Sequence, residues 1–331
     1  MVNRSFRTPL FCAAALVAVF VTLFSGAAFT QERPTASWVQ LNPGNSPPAR
    51  DVSAMAYDPA SKKIVLFGGF GDQGYLNDTW TWDGSAWTQV KASVAPSPRT
   101  SAMMAYDVGI RKLVLFGGYD GVQFLGDTWI WDGTTSTWTQ ATPTRSPKAM
   151  GGALLFTDPL TGHAGLYGGY DGRFYQLNTW LWMGTTWRKL HLDSAPFARA
   201  WGIVAVDLPR RNVLVAGGLG DIRTDNTWTW DGTSWTQQSP QHPIPKIFNT
   251  GAAFDPVLHG TVVFGGDEGD GPLNKTQAWT GSDWLQGSPL QSAPAREFEG
   301  MAYDFAAHQL LIFGGDDGNV FLNDTWELVP Q

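Results

Sequence analysis

The sequence predicts an all-β protein, a six-bladed β-propeller of four-stranded antiparallel blades whose ring is closed by an N-terminal strand completing the last blade. Three observations lead there. Diglycines recur at Gly68-Gly69, Gly117-Gly118, Gly168-Gly169, Gly217-Gly218, Gly265-Gly266 and Gly314-Gly315, at spacings of 49, 51, 49, 48 and 49 residues. Each interval holds four short strand-like runs separated by turn residues, with no helical period. The one closing-strand motif missing at the C-terminal end stands near the N-terminal end instead.

Within the first unit, Pro48 to Arg50 open the blade and Ser53 to Tyr57 form strand one. Asp58-Pro59 then turns the chain through Asx-type hydrogen bonds and the fixed φ of proline. Strand two, Ile64 to Phe67, is apolar throughout, as is its counterpart Leu113 to Phe116, so both faces are expected to be covered by stacked neighbouring sheets. The diglycine that follows suits a close backbone approach or a positive φ. In Trp80-Thr81-Trp82 the two indoles share one face of strand three, and Asp83-Gly84 makes the hairpin into strand four at Trp87. Such meanders stacked radially make a propeller, with blades starting near residues 48, 97, 146, 197, 244 and 294.

Closure is read from the ends. Trp87, Trp138, Trp187, Trp235 and Trp284 mark five fourth strands, whereas the last unit stops at Val329-Pro330-Gln331 soon after Trp326. Ser37-Trp38-Val39-Gln40-Leu41 matches Ala86-Trp87-Thr88-Gln89-Val90, so a strand over 36–42 is expected to be the outer strand of blade six. Pairing the two chain ends removes two raw sheet edges.

Residues 1–28 differ from the rest. Arg4 and Arg7 precede an apolar stretch from Leu10 to Phe24 and then Ser25-Gly26-Ala27-Ala28, the order of a secretory signal. Cleavage there leaves one propeller domain over 29–331, without a membrane span; the alternative is an uncleaved anchor from Leu10 to Phe29. A secreted or periplasmic monomer is expected. The only cysteine, Cys12, lies in the removed segment, so disulfides and thiolate chemistry are excluded from the mature chain. A pI of about 5.1 and a net charge of -7 lack the basic footprint of a nucleic-acid binder.

The recurring Gly-Gly, Asn-Asp-Thr-Trp (Asn77 to Trp80 in unit one) and closing Trp resemble the kelch-repeat family, particularly its secreted bacterial branch related to the central domain of galactose oxidase. The resemblance spans roughly residues 36–328 and implies the propeller fold, with functions ranging over protein-binding platforms, carbohydrate-associated modules, sugar mutarotases and a copper radical oxidase. The oxidase cofactor joins Cys to Tyr, which Cys12 cannot supply. Blades of that branch often carry His three residues after the strand-one Arg, where Ser53, Ala102, Gly202 and Glu299 stand here.

Other motifs dissolve in context. Gly69-Phe70-Gly71-Asp72-Gln73-Gly74 fits a dinucleotide fingerprint but leads into a strand, leaving no helix N-terminus for a pyrophosphate. Thr81 to Trp87 lacks one residue of a sialidase Asp box, and the sequons at Asn77, Asn274 and Asn323 follow from the repeat. His163, His259 and His308 fall in separate blades and His191 and His242 follow fourth strands, so a zinc site is not expected.

The candidate ligand contacts lie on the face that carries the connections from strand four to one and from strand two to three, here called the upper face. Arg50, Arg99, Lys148, Arg199, Lys246 and Arg296 place one cation at the opening of each blade, for inter-blade ion pairing and turn hydrogen bonds or for binding an anionic ligand. Trp201, outside the repeat pattern and near the channel, is the candidate aromatic contact. Asp267, Glu268, Asp270, Asp316 and Asp317, with Glu297 and Glu299 beside them, concentrate acid in blades five and six; solvated turns or a Ca²⁺ site fit them, and no other cofactor is expected. The 2–3 connections are nearly equal in length, which favours a binding or scaffolding role, with a protein or glycan ligand, over catalysis. The competing reading is a sugar mutarotase or epimerase with Arg296 as anchor and Glu299 as acid/base, and convergence of both with Trp201 on one mouth would favour it.

Overall fold

A computed structural model describes residues 36–330; the expected signal segment, 1–28, lies outside the described residues. The described chain forms six four-stranded antiparallel sheets, as the sequence predicts. Blade one consists of Ala54–Asp58, Lys63–Gly71, Gly74–Trp82 and Trp87–Val90. Blade six takes Gly300–Asp304, Gln309–Phe313 and Thr325–Pro330 from the C-terminal end and Ala36–Leu41 as its outer strand, paired from Ala36↔Pro330 to Leu41↔Thr325. In blade one the second strand runs past the diglycine with a bulge between Phe67 and Gly69, so the 2–3 connection there is a β-ribbon and not a plain turn.

The core is divided between blades. Strand two is covered on both faces, Ile64, Val65, Leu66 and Phe67 being almost fully buried. Each blade interface has its own apolar cluster; between blades one and two it includes Val65 and Phe67 on one side and Leu113, Leu115 and Trp131 on the other. The third-strand tryptophans Trp80 and Trp82 are core residues, and Trp82 packs on the fourth-strand Trp87 with ring centroids 5.4 Å apart.

Three closed circuits of hydrogen bonds tie the blades together. In the outer one, each fourth-strand indole donates to a third-strand threonine of the preceding blade: Trp87 to Thr325, Trp138 to Thr79, Trp187 to Thr128, Trp235 to Thr179, Trp284 to Thr227 and Trp38 to Thr276, all at 2.9–3.0 Å. The middle circuit explains the diglycines. Gly69 N–H donates to the Arg99 carbonyl of the next blade at 2.9 Å, and the bond repeats around to Gly315 and Arg50. Gly68 has φ +64°, and a Cβ there would stand 2.7 Å from the Arg99 oxygen, so a side chain would push the blades apart.

The inner circuit surrounds the axis. Val52, Ser101, Gly152, Trp201, Asn249 and Phe298, one per blade, all have left-handed backbone, with φ between +47° and +63°. The N–H of each donates to the carbonyl of its neighbour, from Ser101 to Val52, Gly152 to Ser101, Trp201 to Gly152, Asn249 to Trp201, Phe298 to Asn249 and Val52 to Phe298, at 2.7–3.2 Å. A β-branched or bulky residue avoids positive φ. Here the cyclic bonding over-determines the conformation and places large side chains at the channel mouth, where strain commonly marks a functional position.

Candidate functional site

The six cations expected from sequence fall into two settings, and the ion pairs that form lie within blades and not between them. Arg50, Arg99, Arg199 and Arg296 are fully buried, and their guanidinium groups are occupied inside the blade. Arg50 donates to the carbonyls of Pro48 and Gly68 and forks onto Asp78 at 2.6 and 2.8 Å; Arg99 and Arg296 do the same with Asp127 and Asp324. Arg199 meets Asn226 at 2.7 Å, with Tyr167 beside it, whose hydroxyl burial pushes well above the usual phenol range. Lys148 and Lys246 do not occupy the matching positions. Met150 and Ile247 do, since their carbonyls accept the diglycine N–H bonds that Arg99 and Arg199 accept elsewhere. A flexible ammonium lacks the planar fork that lets arginine be buried there. Lys148 therefore stays 72% exposed and reaches Asp171 at 3.5 Å, and Lys246 is exposed as well. Blade three has Asn178 opposite Met150 and blade five has Lys275 opposite Ile247, so where the buried cation is missing the acid is missing too.

The channel mouth is built by the inner circuit. On its inner side lies a cavity of about 160 Å³, lined by Ser101, Trp201, Asn249, Thr250, Glu299 and Met301 among others. On its outer side is a vestibule of about 260 Å³ whose walls include Asp51, Phe70, Tyr75, Trp201 and Phe298. Trp201 belongs to both. Its indole lies against the Gly152 backbone, where a Cβ would come within 2.7 Å of the ring atoms, and its Nε1 points to Ser101 Oγ at 3.4 Å.

Glu299 replaces the small side chains found at this position in other blades and is admitted by Gly251, whose N–H donates to Glu299 Oε1 at 2.8 Å. Glu299 Oε2 and Asn249 Oδ1 are buried without a protein partner. Burial pushes the Glu299 carboxyl up to about 8. Asp51 is pushed up to about 7 by burial and by the nearby Asp316 and Glu297. Glu297 is raised by burial and by Asp267 and Asp316, while Asn249 Nδ2 donates to its Oε2 at 2.8 Å.

These shifts have a measurable sign. Between the ordinary carboxylate range near 4.5 and about 8, folded Glu299 holds a proton that the unfolded chain has lost, so stability falls as pH rises through that window. Glu299→Gln is expected to flatten the decline and to raise the melting temperature more at pH 9 than at pH 5. Thermal unfolding across pH 5–9 checks this, and an equal change at both ends contradicts it.

The remaining acids are engaged locally. Asp267 accepts from the N–H groups of Gly269 and Gly271, Asp316 from Gly318, and Asp317 from Asn319 and Val320. Glu268 pairs with Lys275 at 2.8 Å, and Asp270 is exposed. Among the described residues no group of three or more His, Cys, Asp or Glu is disposed around a metal position. Of the three residues whose convergence would favour sugar chemistry, Glu299 and Trp201 share a cavity, whereas Arg296 is buried and paired with Asp324 outside that lining.

One feature was not anticipated from sequence. Phe321, Phe70, Tyr75, Tyr119, Phe124, Tyr170 and Tyr175 form an arc of seven half-buried rings along the 2–3 connections. Successive centroids are 4.8–5.7 Å apart except for 6.1 Å from Tyr75 to Tyr119, and Trp201 joins the arc from the channel mouth at 6.1 Å from Tyr170. Above it project Val122, Phe174, Ile222 and Val320, exposed by 86, 55, 64 and 56%. The signal was an aromatic residue directly after the diglycine at Phe70, Tyr119 and Tyr170, and another five positions later at Tyr75, Phe124 and Tyr175.

The fold and its six repeats define a kelch-type propeller. Residues 28–218, more than half of the chain, match the KLHDC2/KLHL20/DRC7 kelch-repeats domain, and the chain belongs to the kelch-repeat family. No match is found among the curated proteins.

Proposed function

We propose that the protein is an exported, non-catalytic kelch platform of the secreted, galactose-oxidase-like branch, binding a protein partner on its upper face. The observation that carries this reading is the set of exposed apolar loop tips, Val122, Phe174, Ile222 and Val320, standing over the aromatic arc. Exposed apolar surface backed by Tyr and Phe is the composition of an interface centre. On the opposite face Val108, Leu160, Leu208, Val257 and Phe305 are exposed too, but Val108 and Leu160 lean on glycines of the next blade, Gly162 and Gly232, and among the described residues the ring contacts there are confined to Phe305 with Tyr57 and Tyr303. Export rests on the order Arg4, Arg7, Leu10 to Phe24 and Ser25 to Ala28. Among the described residues no helix is long and apolar enough to cross a membrane.

A glycan platform is less well supported, because the third- and fourth-strand indoles that would stack on sugars are mostly buried between blades. The mutarotase reading is likewise less well supported, because Arg296 is buried and paired with Asp324. Val122→Asp combined with Ile222→Asp is expected to abolish capture of an extracytoplasmic partner without lowering the unfolding midpoint, while Leu160→Asp on the opposite face leaves capture intact. Equal capture by all three proteins would refute the placement.

A further inference from the structure

The vestibule has a chemistry of its own. Phe70, Tyr75, Trp201 and Phe298 supply aromatic walls, and Asp51 supplies the one ionisable carboxyl group in the lining. Phe70 and Tyr75 meet edge to face at 4.9 Å, and Phe321 supports Phe70 from outside at 5.7 Å, so the walls are braced. Asp51 Oδ1 has no protein hydrogen-bond partner. No Lys or Arg lines the space, and the adjacent Arg50 is fully buried with its charge spent on Asp78. Glu297 and Asp316 stand close enough to Asp51 to add to the negative potential.

Aromatic faces around a small concave space attract cations through their quadrupoles, and such cages are the usual receptors for alkylated ammonium groups. An anion would meet the Asp51 carboxyl group, with Glu297 and Asp316 behind it, and no Lys or Arg in the lining. A cavity of about 260 Å³ admits a compact head group but not an extended chain.

We propose that this vestibule binds an alkylammonium group, its methyl or methylene surface held by Phe70, Tyr75, Trp201 and Phe298 and its charge balanced by Asp51. The assignment goes beyond the platform reading and does not depend on it. A free small molecule and a methylated lysine side chain share the chemistry. Because Asp51 holds a proton below about pH 7, a bound cation displaces that proton, and affinity rises with pH to a plateau above 7. The charged groups that face Asp51 are Asp316 and Glu297.

The test is calorimetric titration of the full protein with choline, with its neutral isostere 3,3-dimethyl-1-butanol, and with a peptide bearing trimethyllysine. Choline or the peptide is expected to bind at least about ten-fold more tightly than the isostere, the margin that cation–π contacts with several rings beside a carboxylate supply. Asp51→Asn, which preserves shape, is expected to lower that affinity about ten-fold and to abolish proton release measured in two buffers at pH 6. Phe70→Leu is expected to weaken binding while leaving proton release per bound ligand unchanged. Preference for choline alone points to a free ligand, and preference for the peptide alone to a partner's side chain. Equal affinity for choline and the isostere, no binding of either cation, or full binding by Asp51→Asn would overturn the assignment.

Discussion

Trp38→Ala is expected to destabilise the propeller by about 3–5 kcal/mol, the cost of emptying a fully buried aromatic site. Trp38 is the only member of the outer hydrogen-bond circuit that comes from the N-terminal side of the repeats. Its Nε1 donates to Thr276 at 3.0 Å and its ring packs on Phe264 at a centroid distance of 4.9 Å, so its loss opens the seam between blades five and six. Deleting residues 29–42 goes further, exposing the Thr325–Pro330 edge along its whole register. Trp38→Phe is the milder change: it keeps much of the buried area but removes the N–H bond and part of the ring, for about 1–2 kcal/mol. Urea unfolding midpoints of the three variants are expected to fall in the order Phe, Ala, deletion. An unchanged midpoint in the deletion would show that the ring does not rely on this strand.

The second large effect concerns the buried arginines. Asp78→Ala leaves the Arg50 guanidinium fully buried with its carboxylate partner gone, and breaking such a pair costs about 3–5 kcal/mol. The protein carries its own rescue in blade three, where Met150 and Asn178 occupy the corresponding positions. The double variant Arg50→Met with Asp78→Asn is therefore expected to recover most of the loss, because it removes the stranded charge together with its partner. Acid adds a second reading. Burial pushes Asp78 and Asp127 up, but Arg50 and Arg99, helped by the indoles of Trp80 and Trp129, outweigh it and hold both carboxyls below the ordinary value of 3.8. The stability these pairs contribute is complete above that value and is lost as pH falls through the depressed one. The double variant should lose less stability than the parent between pH 4 and 2. If Asp78→Ala and the double variant unfold alike, the arginine is not stranded and the pairing argument fails.

The parts of this architecture that were legible in the sequence depend on local chemistry repeated six times. The diglycine needs no context beyond its spacing, and the match of Ser37 to Leu41 with Ala86 to Val90 locates the closing strand unaided. The arginines were legible as a repeat but not as buried groups, since direction and depth are set by Asp78 and its counterparts, 28 residues further along. Lys148 and Lys246 were misplaced because both blades keep a cation near the opening proline while the buried position has become Met150 and Ile247. The inner circuit was hidden for a different reason. Val52, Trp201 and Phe298 avoid left-handed backbone on their own, and only bonds to residues of neighbouring blades, distant in sequence, impose it. The aromatic arc escaped notice because its rings meet across blades, where sequence distance conceals contact.

Which face carries the partner is tested most directly by site-specific photocrosslinking. A benzophenone side chain is installed at Val122 on the upper face or at Leu160 on the opposite one, and the protein is irradiated in the extracytoplasmic fraction. A discrete adduct from position 122 and none from position 160 is the expected result. Adducts from position 160 alone, or of equal yield from both, would contradict the assignment of the interaction surface to the aromatic face.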